Sequence, residues 1–207
     1  MNLLNKIYAW ILKNYVKVIS FLLVIGLAYG IYLYFYFMAQ KKDQEAGDIF
    51  LNFYNSYSAS DFNEQEYKIV IDEISEIDNA SIYLVMLKSI YAAESVAGDD
   101  LQKALNELSN AKEILDLKGN EFNFLKEMID LRMVNIFIDL EDLERAKNIL
   151  KNTFTTYLTN KLILQGDILA IEKKIDEAKQ KYMDALQRSE NDTQKNFINL
   201  KISNLTK

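Results

Sequence analysis

Residues 162–185 read LILQGDILAIEKKIDEAKQKYMDA, and the spacing inside this stretch decides the fold. Leu162, Gly166 and Leu169 recur at intervals of four and three, and Ala178, Tyr182 and Ala185 repeat the same intervals further on. Each set lies on one face of a helix, so the stretch predicts two amphipathic helices back to back. The opening of the second, Lys174-Ile175-Asp176-Glu177-Ala178, has two counterparts upstream, Asp100-Leu101-Gln102-Lys103-Ala104 and Asp142-Leu143-Glu144-Arg145-Ala146. All three put an aliphatic residue three before an alanine. Leu108 and Ala111 then follow Ala104, and Leu150 follows Ala146. Gly166 and Ala178 are small enough to let the two helices of a unit approach closely, while Leu169 and Tyr182 are expected to fill the space between units.

A large residue four beyond the alanine and a small one seven beyond it resemble the spacing of tetratricopeptide repeats. The three alanines are 42 and then 32 residues apart, bracketing the ~34-residue period of that repeat. No proline closes a unit, so the array is degenerate; a generic antiparallel helical bundle is the alternative. Proline is absent from the whole chain, where average usage of about 5% would supply roughly ten. Helices are predicted near 80–97, 100–116, 121–139, 142–157, 160–172, 175–189 and 192–203. Breaks are expected at Gly98-Asp99-Asp100, Lys118-Gly119-Asn120 and Glu141-Asp142. Ahead of these, Ala46, Ile49, Phe50, Phe53, Tyr54 and Tyr57, and then Tyr67, Val70, Ile71, Ile74 and Ile77, keep helical intervals. Asp61 with Glu64 reads as a capping box opening the second of these helices.

Val18 to Met38 is a run of 21 residues without a charge. As a helix it would span roughly 31 Å, against ~30 Å for a bilayer core. Tyr8, Trp10 and Tyr15 on one side and Tyr32, Tyr34 and Tyr36 on the other suit the two interfaces. Lys6, Lys13 and Lys17 could instead begin a cleaved signal peptide, but the apolar run is too long, and Phe37 and Ala39 make a poor cleavage site. The fold expected is therefore all-α, a single N-terminal transmembrane helix followed by an α-solenoid of antiparallel helix pairs. Its parts are an N-terminal segment 1–17, the span 18–38, connecting helices 39–79 and the repeat domain 80–207. Three lysines before the span against Lys41 and Lys42 after it place the amino terminus in the cytoplasm and the domain outside.

Residues 1–42 hold five lysines and no acid, so a net charge of −6 leaves −6 − 5 = −11 for residues 43–207. That acidity repels nucleic acid and anionic lipid and favours solubility. With no histidine and no cysteine, Ser-His-Asp and Cys-His catalysis, histidine or thiolate zinc sites and disulfides are impossible. The six glycines form no phosphate-binding pattern. Gly98-Asp99-Asp100 lacks the alternating acids of a calcium loop and reads as a turn. No enzyme activity, cofactor or metal is expected; an enzyme working with carboxylates alone would need a pocket of buried acids.

Gln165-Gly166-Asp167-Ile168-Leu169, the Ala178 helix and the ending Leu200-Lys201-Ile202-Ser203-Asn204-Leu205 resemble the carboxy terminus of the YfgM family. Asn14-Tyr15, Gly26, Gly30 and Asp130-Leu131-Arg132-Met133 extend the resemblance over nearly the whole chain, with Phe154 to Tyr157 departing from it. The resemblance implies a single-pass protein of the bacterial inner membrane with a periplasmic domain, an ancillary subunit of the SecYEG translocon. Its implied partners are translocon subunits, periplasmic chaperones and exported clients. A signalling regulator that sequesters another protein is the alternative. Threading the repeat register puts Met86, Ser89, Ala93, Met128, Leu131, Asn135, Ile138, Ile163 and Asp167 on the concave side, either as a protein-binding groove or packed internally. Gly26 and Gly30, one turn apart, would let another helix pack closely, from a translocon subunit or a second copy of the chain.

Overall fold

A computed structural model describes residues 15–59, 61–78 and 80–205, with side chains from residue 27 onward. Among the described residues there are nine helices and no strand. They are α1 (Tyr15–Ala59), α2 (Glu64–Ser75), α3 (Ser81–Ala97), α4 (Leu101–Asp116), α5 (Asn123–Asp139), α6 (Leu143–Ile149), α7 (Leu158–Ile171), α8 (Ile175–Arg188) and α9 (Asp192–Asn204). Each helix packs on the next in sequence, and the closest pairings are α3 with α4 and α7 with α8. In addition α5 packs on α7 and α1 on α3, so first helices also touch one another, as stacked helix pairs require.

The repeat is written most plainly in the backbone of three turns. Asp99, Glu141 and Lys173 all hold left-handed φ values, of 62°, 59° and 62°. After each comes a residue with φ near −90° and ψ near 67°, namely Asp100, Asp142 and Lys174. Their N–H groups reach back to the carbonyls of Ser95, Phe137 and Leu169 at 2.8, 2.8 and 2.9 Å. That reach of five residues is the Schellman closure of a helix, which satisfies carbonyls otherwise left open at its end. Asp100 and Asp142 then cap the next helix through the N–H groups of Lys103 and Arg145, each at 3.0 Å; Lys174 offers no such acceptor. Three identical turns, each ahead of its alanine, establish the helix-pair repeat that the spacing predicts.

Three hydrophobic clusters follow the chain. Ala46, Phe50 and Phe53 of α1, Tyr67, Val70 and Ile74 of α2, and Leu87 and Tyr91 of α3 share the first. Aromatic rings tie it together, with Tyr67 and Tyr91 centroids 4.3 Å apart and Phe62 5.4 Å from Tyr91. The second cluster spans α3 to α7, around Leu108, Leu115, Ile129 and Val134, and the third joins α7, α8 and α9 around Tyr182 and Ile198. The second half of α1 and α2 thus form a layer on the first repeat helix.

Three expectations are corrected. Helix 142–157 stops at Ile149. Thr153, Thr155, Thr156 and the aromatics Phe154 and Tyr157 are poor helix formers, and the backbone of 155–157 turns its N–H groups onto Glu127 of α5. Phe154 is buried, and Lys161 lies 5.0 Å over its ring. Asp61 does not cap α2; Asn63 does, accepting from the N–H groups of Gln65 and Glu66 at 3.0 and 3.2 Å. Tyr182 does not sit only between units: a Cβ on Gly166 would lie 2.5 Å from its ring, so the ring fills the place of the missing side chain within the pair.

Among the residues described with their side chains, no helix is long and apolar enough to cross a membrane. The predicted span falls partly outside that description, since Val18 to Gly26 belong to α1 but only Leu27 to Met38 have described side chains. Twelve residues reach about 18 Å. Over them, Leu27, Tyr29, Ile31, Tyr32, Tyr34 and Phe35 are all exposed.

Candidate functional site

The nine residues assigned to the concave side fall into two groups. Met86, Ser89, Ala93 and Met128 line a hollow of about 460 Å³ between α1, α3 and α5. Its other walls are largely apolar, including Phe50, Tyr54, Ile82 and Phe124. Leu131, Asn135, Ile163 and Asp167 line a second, of about 270 Å³, between α5, α7 and α9. Ile138 is in neither and packs against the central core. Gly30 has nothing within 4 Å of where a Cβ would stand, and Gly26 lies outside the residues whose side chains are described.

The two hollows differ in chemistry. In the smaller one the charged groups are occupied by the fold itself: Asp167 Oδ1 accepts from the Tyr182 hydroxyl at 2.6 Å and from Lys201 Nζ at 2.7 Å. Burial first, and then the Asp167 carboxylate, push the Tyr182 phenol far above its ordinary value. In the larger one the Tyr57 hydroxyl donates to Glu94 Oε1 at 2.7 Å. That bond, with burial, raises the Tyr57 phenol and ties α1 to α3 beside the hollow. Arg132 is the only charged residue in the lining.

Arg132 also lines a hollow of about 320 Å³ between α3, α4 and α5, with Ala93, Asn135 and Asp139. Two of these three openings thus lie between α3 and α5 and the other between α5 and α7. A fourth, of about 470 Å³, is walled by Leu150, Gln165, Ile168 and the charges of Lys147, Glu172 and Lys174. Glu172 bridges both lysines there, while Lys151, Glu177 and Lys181 in the same lining form no ion pair among the described residues. Among the described residues no group of three or more potential ligands is placed to hold a metal ion.

The chain matches the family described as Tetratricopeptide repeat-like domain over residues 9–207. The chain belongs to this family. Such tetratricopeptide repeat-like domains are generally non-catalytic interaction modules, and the stacked helix pairs with their lateral hollows suit that role. The match begins ahead of Val18 and so takes in α1 as well as the repeats. No curated protein and no solved structure matches the chain.

Sequence reasoning missed Glu127. It is 6% exposed and receives four hydrogen bonds: from Thr155 N–H and Thr155 Oγ1 at 2.7 and 2.8 Å, and from the N–H groups of Thr156 and Tyr157 at 2.8 and 2.9 Å. Burial pushes its carboxyl up, but these donors together hold it below the usual value. Asp130, one turn on, joins Lys112 of α4 and Asn152 of the same bent segment. The signal that could have disclosed this is Tyr157, which precedes α7 without a side chain able to cap it.

Proposed function

We propose that the protein is a membrane-anchored adaptor without catalytic activity, holding its repeat domain on the periplasmic side of a bacterial inner membrane. Its partners in this reading are translocon subunits, periplasmic chaperones and exported chains. The observation that carries it is the continuity of α1. One helix of 45 residues leads from an apolar stretch exposed on all sides directly into the core, where Ala46, Phe50 and Phe53 are buried. A helix apolar all round belongs in a larger protein interior or in a bilayer, and nothing in the repeat domain covers Leu27 to Met38. The lysine bias sets the orientation, and the resemblance to the YfgM family supports the translocon as neighbour.

The test is site-specific photocrosslinking in intact cells from two positions, Gly30 and Leu131. Crosslinks from Gly30 to translocon subunits and from Leu131 to chaperones or exported chains are expected. Recovery of neither class, or a carboxy-terminal reporter active only in the cytoplasm, would overturn the proposal.

A further inference from the structure

The rim of the hollow between α1, α3 and α5 carries one solvent-exposed charge that no carboxylate of the described residues pairs. Arg132 lines it, yet among the described residues no carboxylate lies within 4.0 Å of its guanidinium. Its hydrogen bond is one long contact, 3.4 Å, to the Ser89 carbonyl. The Ser89 side chain is on the same wall, 7% exposed, and its hydroxyl has no hydrogen-bond partner. Most other cations of the domain are paired, among them Lys88, Lys112, Lys126, Arg145 and Lys201. In a domain carrying −11 over residues 43–207, acids to pair Arg132 are plentiful, but none reaches it.

We propose that this hollow binds a partner segment presenting two or three apolar side chains beside a single aspartate or glutamate, whose carboxylate pairs with Arg132. This deepens the adaptor reading above and rests on it. The apolar walls, with the adaptable side chains of Met86 and Met128, accept aliphatic or aromatic anchors without demanding one sequence. The guanidinium fork selects a carboxylate and fixes register. The net charge of the domain rejects a strongly acidic run, so one carboxylate among apolar residues is the chemistry that fits.

The test uses the full chain in nanodiscs, so that no free detergent fills the hollow. The probe is a fluorescein-labelled peptide of about 15 residues with a C-terminal amide, carrying two leucines and a phenylalanine on one helical face and one aspartate beside them. Fluorescence anisotropy should show that asparagine in place of the aspartate weakens binding about three- to fivefold, the effect of one solvent-screened ion pair. Arg132→Gln should abolish that preference while leaving the weaker apolar binding, and Arg132→Glu should transfer the preference to a lysine peptide. Met86→Lys should weaken all peptides alike.

Equal affinity of the aspartate and asparagine peptides, with binding still lost in Met86→Lys, overturns the carboxylate inference and leaves the groove reading standing. Binding indifferent to both Met86→Lys and Arg132→Glu removes the groove itself. A preference seen only for a free C-terminal carboxylate on the asparagine peptide, or no binding of either peptide, also overturns the inference.

Discussion

Replacing Glu127 by glutamine tests what holds residues 155–157 out of the helix expected over 142–157. Its Oε1 accepts from both the N–H and the hydroxyl of Thr155, and its Oε2 from the N–H groups of Thr156 and Tyr157. In Glu127→Gln one oxygen becomes an NH₂ group: turned toward Thr155 it can donate to the hydroxyl and leaves the Thr155 N–H without an acceptor, and turned the other way it leaves the Thr156 and Tyr157 N–H groups without one, so one or two backbone donors are lost. A buried donor left unsatisfied costs about 1–3 kcal/mol. Thr155 and Thr156 are exposed and Tyr157 half-buried, so water compensates in part and the loss should be about 1–3 kcal/mol. For a chain of this size that lowers Tm by roughly 2–12 °C. Urea unfolding of the full chain in a mild detergent, followed by circular dichroism, measures it, and hydrogen exchange should show faster opening at residues 155–157.

The pH dependence supplies an independent check. The folded carboxyl titrates below its ordinary value, so its contribution is complete above the unfolded pKa of about 4.3 and is lost as pH falls through the folded value. The gap between wild type and Glu127→Gln should therefore be full at neutral pH and narrow in acid. A gap below about 0.5 kcal/mol at neutral pH, the ordinary range of an inconsequential surface change, would refute the account of the bend.

Three further outcomes follow from the geometry. Gly166→Ala places a Cβ 2.5 Å from the Tyr182 ring, which its hydrogen bond to Asp167 holds in place; the overpacking should cost about 1–3 kcal/mol, and adding Tyr182→Leu should recover part of it in a double-mutant cycle of unfolding energies. In the last turn, Lys173→Gly with Lys174→Asp relieves a left-handed lysine and adds the cap present in the other two, while losing the exposed Lys174–Glu172 pair; the net gain should be about 1 kcal/mol, read as roughly 2–4 °C in thermal unfolding. Ser89→Ala removes a buried hydroxyl without a partner; calorimetry of the free protein should show a gain of about 1 kcal/mol.

How much of this was legible beforehand divides along a physical line. Where neighbouring residues settle the backbone, the sequence was readable: the turns at Asp99-Asp100, Glu141-Asp142 and Lys173-Lys174 follow from polar breaks between apolar periods, and six of seven repeat helices end within two or so residues of expectation. The family match then confirmed the repeat class. Where a partner distant in sequence decides, local reading failed. Glu127 holds residues 155–157, 28 to 30 residues beyond it, out of the helix expected over 142–157, and no periodicity in that stretch records it. Asp61 lost the cap of α2 to Asn63 because both are good capping residues within one turn, and only the chain's entry angle chooses between them. Of the residues assigned to the concave side, Met86, Ser89, Ala93 and Met128 line one hollow, but register was silent on Arg132, since an exposed arginine gives no local sign of whether a carboxylate stands near it.

The length of α1 adds a constraint that neither the repeat nor the anchor would impose alone. Ala46, the first core residue of the helix, lies eight residues beyond Met38, and Phe50 and Tyr57, on the wall of the larger hollow, lie 12 and 19 beyond it. At 1.5 Å per residue these positions stand about 12, 18 and 29 Å along the helix from the end of the uncharged run. No break occurs between them, and Lys42 is tied to Asp78 at the base of the domain. On the anchored reading, the hollow is therefore held at a set distance and rotation above the membrane rather than swinging on a linker. Inserting four residues after Lys41 should raise it by about 6 Å and turn it by roughly 40°, whereas inserting two turns it by about 200°. Crosslinks from Leu131 should survive the first insertion better than the second. Equal survival of both would mean that α1 does not transmit orientation to the repeat domain.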